Sequence, residues 1–410
     1  MFVPAAPHLA TRTVLSELPD TWKAAHALRS ELEAGSRIRP DLLVVFGSTH
    51  HRALFSDALR MLRAAIHPVH LLACTTESVI VNDREIDQGP ALAAMALNLP
   101  GVVMKPFTFG LSDGPPSVWS DGFIRERVAL PPDHGALPHR GILMFADPFS
   151  INAAQACAAI QRAAGRTGMR ITGGVTSGAS AVGLDVLAAD RSIVHSGIVG
   201  LSIFGGVELD HRLAEGCAPI GAPMVVTAIK GKEIVELSGI PALAAAAQLG
   251  DRLAPRAREL LKHGLILGVA SGESDERFEL RDCALRTVTA VDHEADTFTV
   301  DEIVPVGSDV QFYIRDPVTA AENLDEVLQD HAECTNPAGA LLFACHKRGP
   351  QFFDEPNRDA RIVSKALNSA PLLGCQCAGV IGGTQGSATV RCYSASATLL
   401  REPHSTGAGA

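Results

Sequence analysis

The chain has 410 residues, Lys+Arg 35 against Asp+Glu 45 and a formal net charge of −10, with 47% hydrophobic and 20% charged residues. That length suits two or three domains, and the excess of apolar over charged residues excludes a disordered chain. The acidic balance excludes broad binding to phosphate backbones, and no apolar run approaches the roughly 20 residues of a membrane span.

Residues 1–40 read as a lead-in with one helix, in which Trp22, Ala25, Leu28 and Leu32 recur at helical spacing. Met1–Leu15 has no basic segment followed by an apolar one, so no secretory signal is expected. Asp41–Gly47 is a continuous apolar strand of the kind buried on both faces. A helix over Phe55–Ala65 follows, then a second strand, Val69–Cys74, ending in the small polar tail Thr75, Thr76, Glu77, Ser78. The stretch 106–140, with Phe107, Phe109, Trp119 and Phe123, reads as a surface excursion held by its aromatics. The strand–helix–strand pattern returns as Gly141–Ala146, Asn152–Ala164 and Met169–Thr172, ending in Gly173-Gly174-Val175-Thr176-Ser177-Gly178. Strands of a meander are expected at His195–Ile203 and Met224–Ile229, with a hairpin turn at Lys230-Gly231-Lys232 and a helix from Ala242 to Leu249. Further strands fill 265–315, and a domain boundary is placed near Leu237–Ile240. The pattern appears a third time as Gly339–Cys345, Asp359–Leu367 and Leu372–Gly379.

The expected fold is α/β: two related domains with mixed sheets covered by helices, built on repeated strand–helix–strand units, with two sheets packed face to face as one arrangement. Small residues after each second strand let backbone N–H groups approach a ligand, and ligands of such sheets sit beyond the strand C-termini.

Those ends supply the candidate ligand-binding residues: Ser48 and Thr49 with His50 and His51; Cys74, Thr75 and Thr76; Asp147; Thr176, Ser177 and Gly178; Cys345, Arg348 and Gly349; Cys377 and Gly379. Asp147 also suits a cap for the following helix, and one of the two His residues suits a cap for the next helix. Adjacent His346, Lys347 and Arg348 would lower the thiol pKa of Cys345. Arg348 is read either as a carboxylate clamp or as an ion pair with Asp354, Glu355 or Asp359. Cys375 and Cys377 alternate along one strand and face the same side as each other, so with Cys345 three thiols could cluster. Cys-x-Cys without a second ligand pair is weak support for a metal, so neither a metal nor a cofactor is expected. No standard catalytic motif is present. An odd count of nine cysteines without Cys-x-x-Cys pairs points to reduced thiols and a cytoplasmic location.

Several segments resemble the FIST family (F-box and intracellular signal transduction): Val194–Leu201, Glu215-Gly216-Cys217-Ala218-Pro219-Ile220-Gly221, Val225–Thr227, Glu236–Leu243, Ala146–Phe149, Gly173–Gly178, Gly89–Leu92, and Cys345-His346-Lys347-Arg348-Gly349 for the family's Cys-x-x-Arg-Gly. The resemblance divides the chain into a FIST N-terminal domain at 41–239, a FIST C-terminal domain at 240–402 and a disordered tail at 403–410. The sequence departs at Val380, where the family carries an acidic residue, and at Ala73 and Ser78, where it carries Gly. The resemblance implies a sensory protein that binds a small molecule, an amino acid or small carboxylate, with a protein partner in a signalling pathway. A cysteine-dependent enzyme using Cys345 and a scaffold without small ligand are the alternatives.

Overall fold

The computed structural model describes residues 8–35, 39–130, 137–165, 169–270, 283–329, 336–383 and 388–403. The expected tail lies, from residue 404 on, outside the described residues, as do 131–136 of the aromatic stretch and 271–282 of the 265–315 strands. The chain divides into two compact units, residues 1–214 with 324–410, and residues 215–323.

The first unit is three copies of one repeat. The first copy runs β1 (Ala10–Ser16), α1 (Thr21–Gly35), β2 (Leu42–Ser48), α2 (Arg52–Ile66), β3 (His70–Thr76), a hairpin of β4 (Val79–Val81) and β5 (Arg84–Ile86), and β6 (Leu92–Asn98). The second runs β7 (Val102–Phe109), α3 (Asp121–Arg127), β8 (His139–Ala146), α4 (Ala153–Ala164), β9 (Ile171–Val175), a hairpin of β10 (Leu187–Ala189) and β11 (Ser192–Val194), and β12 (Ile198–Gly205). The third opens with β13 (Glu208–Ala214) and is then interrupted by the second unit. That unit holds β14 (Cys217–Lys230), β15 (Glu233–Leu237), β16 (Ile240–Pro241), α5 (Ala242–Arg252), α6 (Pro255–Leu261), β17 (Leu265–Ala270), β18 (Cys283–Asp292), β19 (Thr297–Val300) and β20 (Asp309–Arg315). The third copy resumes through α7 (Pro317–Gln329), β21 (Gly339–Cys345), α8 (Pro350–Phe353), α9 (Arg358–Ala366), β22 (Leu372–Cys377), a hairpin of β23 (Gly379–Gly382) and β24 (Thr389–Arg391), and β25 (Ala395–Arg401).

Each copy builds a six-stranded sheet of one topology: β1-β6-β2-β3-β10-β11, β7-β12-β8-β9-β23-β24, and β13-β25-β21-β22-β4-β5. The central pairs β2/β3, β8/β9 and β21/β22 are parallel, as a connecting helix requires. The short hairpin that follows each second strand leaves its own sheet and extends the next one. This exchange yields three sheets where the sequence suggested two face to face, because nothing local in three-residue strands specifies which sheet they join.

Register confirms the equivalence. Phe46, Phe145 and Phe343 stand opposite Cys74, Gly174 and Cys375. Their rings meet edge to face, with centroids 5.5, 6.4 and 5.7 Å apart, a geometry that suits the aromatic quadrupole. Two residues on, the N–H groups of Ser48, Asp147 and Cys345 donate to the carbonyls of Ala91, Gly197 and Ser394 at 2.8–2.9 Å. Strands β2 and β21 are buried along their whole length and β8 from Gly141 on, as their unbroken apolar runs predict.

The helices follow their apolar spacing. Phe55, Ala58, Leu59 and Leu62 form the buried stripe of α2, which ends at His67 in the left-handed region. On α1, Ala24, Ala25, Leu28 and Leu32 are buried, whereas Trp22 is exposed. The first 40 residues thus contribute strand β1 as well as the expected helix. The aromatic stretch is anchored as expected, with Phe109 and Trp119 stacked 4.1 Å apart, but it includes edge strand β7 and α3.

The second unit is a six-stranded antiparallel barrel, ordered β14-β20-β17-β18-β19-β15 and closed by β15 pairing with β14. Val226, Leu267, Phe298, Phe312 and Ile314 are among the residues that fill it. The predicted turn at Lys230-Gly231-Lys232 joins β14 to β15.

Candidate functional site

The small polar tails of the repeats converge beyond the C-terminal ends of the parallel strands. Thr76 Oγ1 lies 2.6 Å from the carbonyl of Gln376 and 3.2 Å from Ser177 Oγ. Ser177 Oγ donates to the same carbonyl (2.6 Å) and accepts from Glu77 N (3.0 Å). One residue from each repeat therefore meets at one point. Gly178 belongs here because a Cβ would stand 3.0 Å from the backbone of Thr75 and Thr76 and 2.8 Å from Asp185 Oδ1. Its carbonyl accepts from Arg52 Nη1 at 2.9 Å.

Asp185 is the hub of the second repeat's side. Thr75 Oγ1 donates to Oδ1 (2.9 Å) and Thr176 Oγ1 to Oδ2 (2.6 Å), while Thr75 Oγ1 accepts from Val186 N (2.9 Å). Burial pushes the Asp185 carboxyl above its ordinary range and Asp147 adds to that push, while the two threonine donors and Arg52 oppose it. Asp147 itself is fully buried, and neither carboxylate oxygen has a hydrogen-bond partner among the described residues. Around the other side, Asp87 Oδ1 accepts from Ser78 Oγ (2.8 Å) and Gln376 Nε2 (2.9 Å).

Other expected site residues go elsewhere. Ser48 Oγ donates to Gly89 O (2.9 Å) and accepts from Ala91 N (3.0 Å), fastening the loop before β6. Thr49 is exposed in a short 3-10 turn. Asp147 does not cap the following helix, since Asn152 does so by accepting from Gln155 N (3.0 Å). His51 offers α2 no side-chain cap. It is buried against Thr21 Oγ1 at 3.0 Å, and burial followed by the charge of His50 lowers its pKa to about 4.

The third repeat corrects the thiol reading. Cys345 is buried, and burial raises its pKa although Lys347 opposes the rise. His346 pairs with Glu77 Oε2 (3.2 Å), while Lys347, over the Tyr393 ring (4.9 Å), still draws the thiol down, so that burial outweighs a nearby cation. Cys375 and Cys377 do come together, 3.8 Å apart, with Cys74 beside Cys375; all three thiols are buried and raised. Cys377 fits only because Gly174 faces it: a Cβ there would lie 2.1 Å from its sulfur. Among the described residues no cluster of three or more His, Cys, Asp or Glu is arranged to hold a metal ion.

Arg348 is the ion pair, not the clamp. Its Nε and Nη2 each donate to Asp359 at 2.8 Å and Nη1 donates to Tyr393 O at 3.1 Å, with the pair fully buried. Glu85, from the first repeat's exchanged hairpin, joins them: burial and then the Asp359 charge raise its pKa to about 8, although it accepts from Ala360 N at 2.9 Å. Gly349 opens α8 behind this pair. Gly379 pairs with Val175 in the second sheet, and a Cβ there would meet Val390 at 2.5 Å.

Residues 41–240 match the FIST N domain and residues 245–382 the FIST C domain. The chain belongs to the FIST family. An uncharacterized protein of Mycobacterium tuberculosis is 30% identical to this FIST protein over 393 residues, 94% of this chain and 98% of its own. An uncharacterized protein of Mycobacterium bovis is 30% identical over 388 residues, 92% of this chain and 94% of its own. FIST domains are associated with signal transduction. The boundary between the two matched domains falls inside the barrel unit, because the third repeat begins before the barrel and ends after it. No helix of the described residues is long and apolar enough to cross a membrane.

Sequence reasoning missed Asp185, Arg52 and Asp87. Asp185 carried one usable signal: a single acid directly before the apolar run Val186-Leu187-Ala188-Ala189, at the mouth of a loop that leaves Gly178.

Proposed function

We propose that the convergent strand ends of the first unit bind a small ligand carrying a protonated amine, an amino acid being the first choice, and that this binding is the sensory step of a FIST-type signalling protein. The observation that supports it is Asp147: a buried carboxylate with both oxygens unsatisfied is costly, and a cationic group is what offsets that cost. Asp185, near enough to feel the Asp147 charge, is a second carboxylate for the same cation, and Arg52 supplies a guanidinium for a carboxylate on the same ligand. Segment 178–184, which carries exposed Val182 and Leu184, is the element that would open to admit it.

A thermal-shift screen of the free amino acids, simple amines and small carboxylates tests this reading. At a hundredfold excess over Kd a ligand stabilises by about 2.7 kcal/mol, well within detection. The Asp147→Asn variant should lose the shift while remaining folded. A flat screen with the native protein, or an undiminished shift in the variant, overturns the proposal.

A further inference from the structure

The three repeats differ at one equivalent place, where the connecting helix meets the hairpin received from the neighbouring repeat. In the second sheet, Ala388 and Val390 by β24 pack into the same apolar cluster as Ala156, Ala159 and Ile160 of α4. In the third, Glu85 of β5 accepts from Ala360 N of α9, and Glu85 N donates to Asn357 Oδ1 at 2.7 Å. In the first, the C-terminal half of α2 and the β10–β11 hairpin leave a groove of about 470 Å³. That lies within the roughly 300–1,000 Å³ of small-molecule sites. Leu71 and Ile193 are part of its apolar lining, and Arg60, Arg63, His67 and Arg191 rim it.

The lining carries three guanidinium groups, of Arg60, Arg63 and Arg191, against one carboxylate, of Asp190. Asp190, the acid of the lining, is already engaged: it accepts from Leu71 N (3.0 Å), pairs with His70 Nδ1 (3.0 Å) and lies 3.5 Å from Arg63 Nη1. Arg60 contacts Asp57 outside the groove with its side chain 66% exposed, and Arg191 is exposed at the tip of the hairpin turn. An apolar floor under several guanidinium groups is complementary to a body without charge joined to a carboxylate or phosphate, both of which arginine binds in fork geometry.

We infer that this groove is a second binding site, for a small organic anion with an apolar body, separate from the strand-end site. Both walls lead to that first site: α2 begins just after Ser48–His51, and the hairpin begins just after Asp185. An anion that draws α2 and the hairpin together therefore acts on the two segments that carry Arg52 and Asp185.

Calorimetric titration with benzoate, phenyl phosphate and the uncharged benzyl alcohol tests the site. Benzoate or phenyl phosphate should bind the native protein, and whichever is tighter assigns the anionic group. Benzyl alcohol should bind at least about tenfold more weakly, the scale of one lost charge-assisted hydrogen bond. Arg60→Glu with Arg191→Glu, both at exposed positions, should weaken the anion by at least about the same factor, and Arg191→Glu alone should weaken it measurably. Asp147→Asn should leave anion affinity unchanged, which separates this site from the strand-end site. Failure of both anions to bind, or equal affinity in the charge-reversed protein, overturns the inference.

Discussion

Asp147 and Cys345 occupy the same backbone position in the second and third repeats, two residues beyond the paired phenylalanines, and their surroundings are opposite. Around Cys345 the charged groups have found partners: Arg348 is spent on Asp359 and Tyr393 O, and His346 on Glu77. Around Asp147 a carboxylate is buried with no hydrogen-bond partner among the described residues. The difference teaches that a repeated backbone fixes where a strand end points but not what it does. The third repeat uses that position for stability, and the second leaves it unsatisfied.

Three experiments bear on this contrast. The largest effect is expected from Arg348→Ala, which leaves Asp359 buried without its cation; breaking a buried pair costs about 3–5 kcal/mol, read from urea denaturation. A loss near that of an exposed arginine would break the contrast. Asp147→Leu should move stability the other way, gaining about 1–3 kcal/mol by removing an unsatisfied buried group, in the absence of ligand. A variant less stable than the native protein would show that Asp147 has a structural partner. Glu85→Gln gives an effect confined to pH. The folded protein holds the Glu85 proton up to about pH 8 whereas the unfolded chain releases it near 4.5. The Glu85 contribution to native stability is therefore fullest below pH 4.5 and falls as pH rises toward 8. The Gln variant should lack that fall in a series of melting temperatures, and parallel curves would place the titration elsewhere.

Much of the fold was legible because the information is local. The strands at 42–46, 142–146 and 340–344 are unbroken apolar runs, and α2, α4 and α9 lie where their periodicity puts them. Even the threefold pattern showed, through the small tails after each second strand, and Thr75, Thr76, Thr176, Ser177 and Gly178 do come together. What failed was non-local. Three-residue strands such as Val79–Val81 carry no mark of the sheet they will join. Strand β13 and its antiparallel partner β25 are separated in sequence by a whole barrel, so the third repeat looked like two unrelated pieces. Cys345 was misjudged because burial outweighs the lowering by Lys347, and burial of one thiol is not written in its neighbours. Arg348 was left between two readings that only its partner Asp359 distinguishes.

The exchanged hairpins have a consequence for the growing chain. The strands Val79–Ile86, made early, find their sheet only when Leu372–Cys377 has been synthesised, because β4 pairs with β22. The second sheet likewise waits for β23 and β24. No repeat can complete its own sheet, and the ring of donations closes only with the last strands. A nascent chain carrying the FIST N domain alone would present unpaired strand edges, the usual route to aggregation, so the first unit is expected to be completed only once β25 has been synthesised.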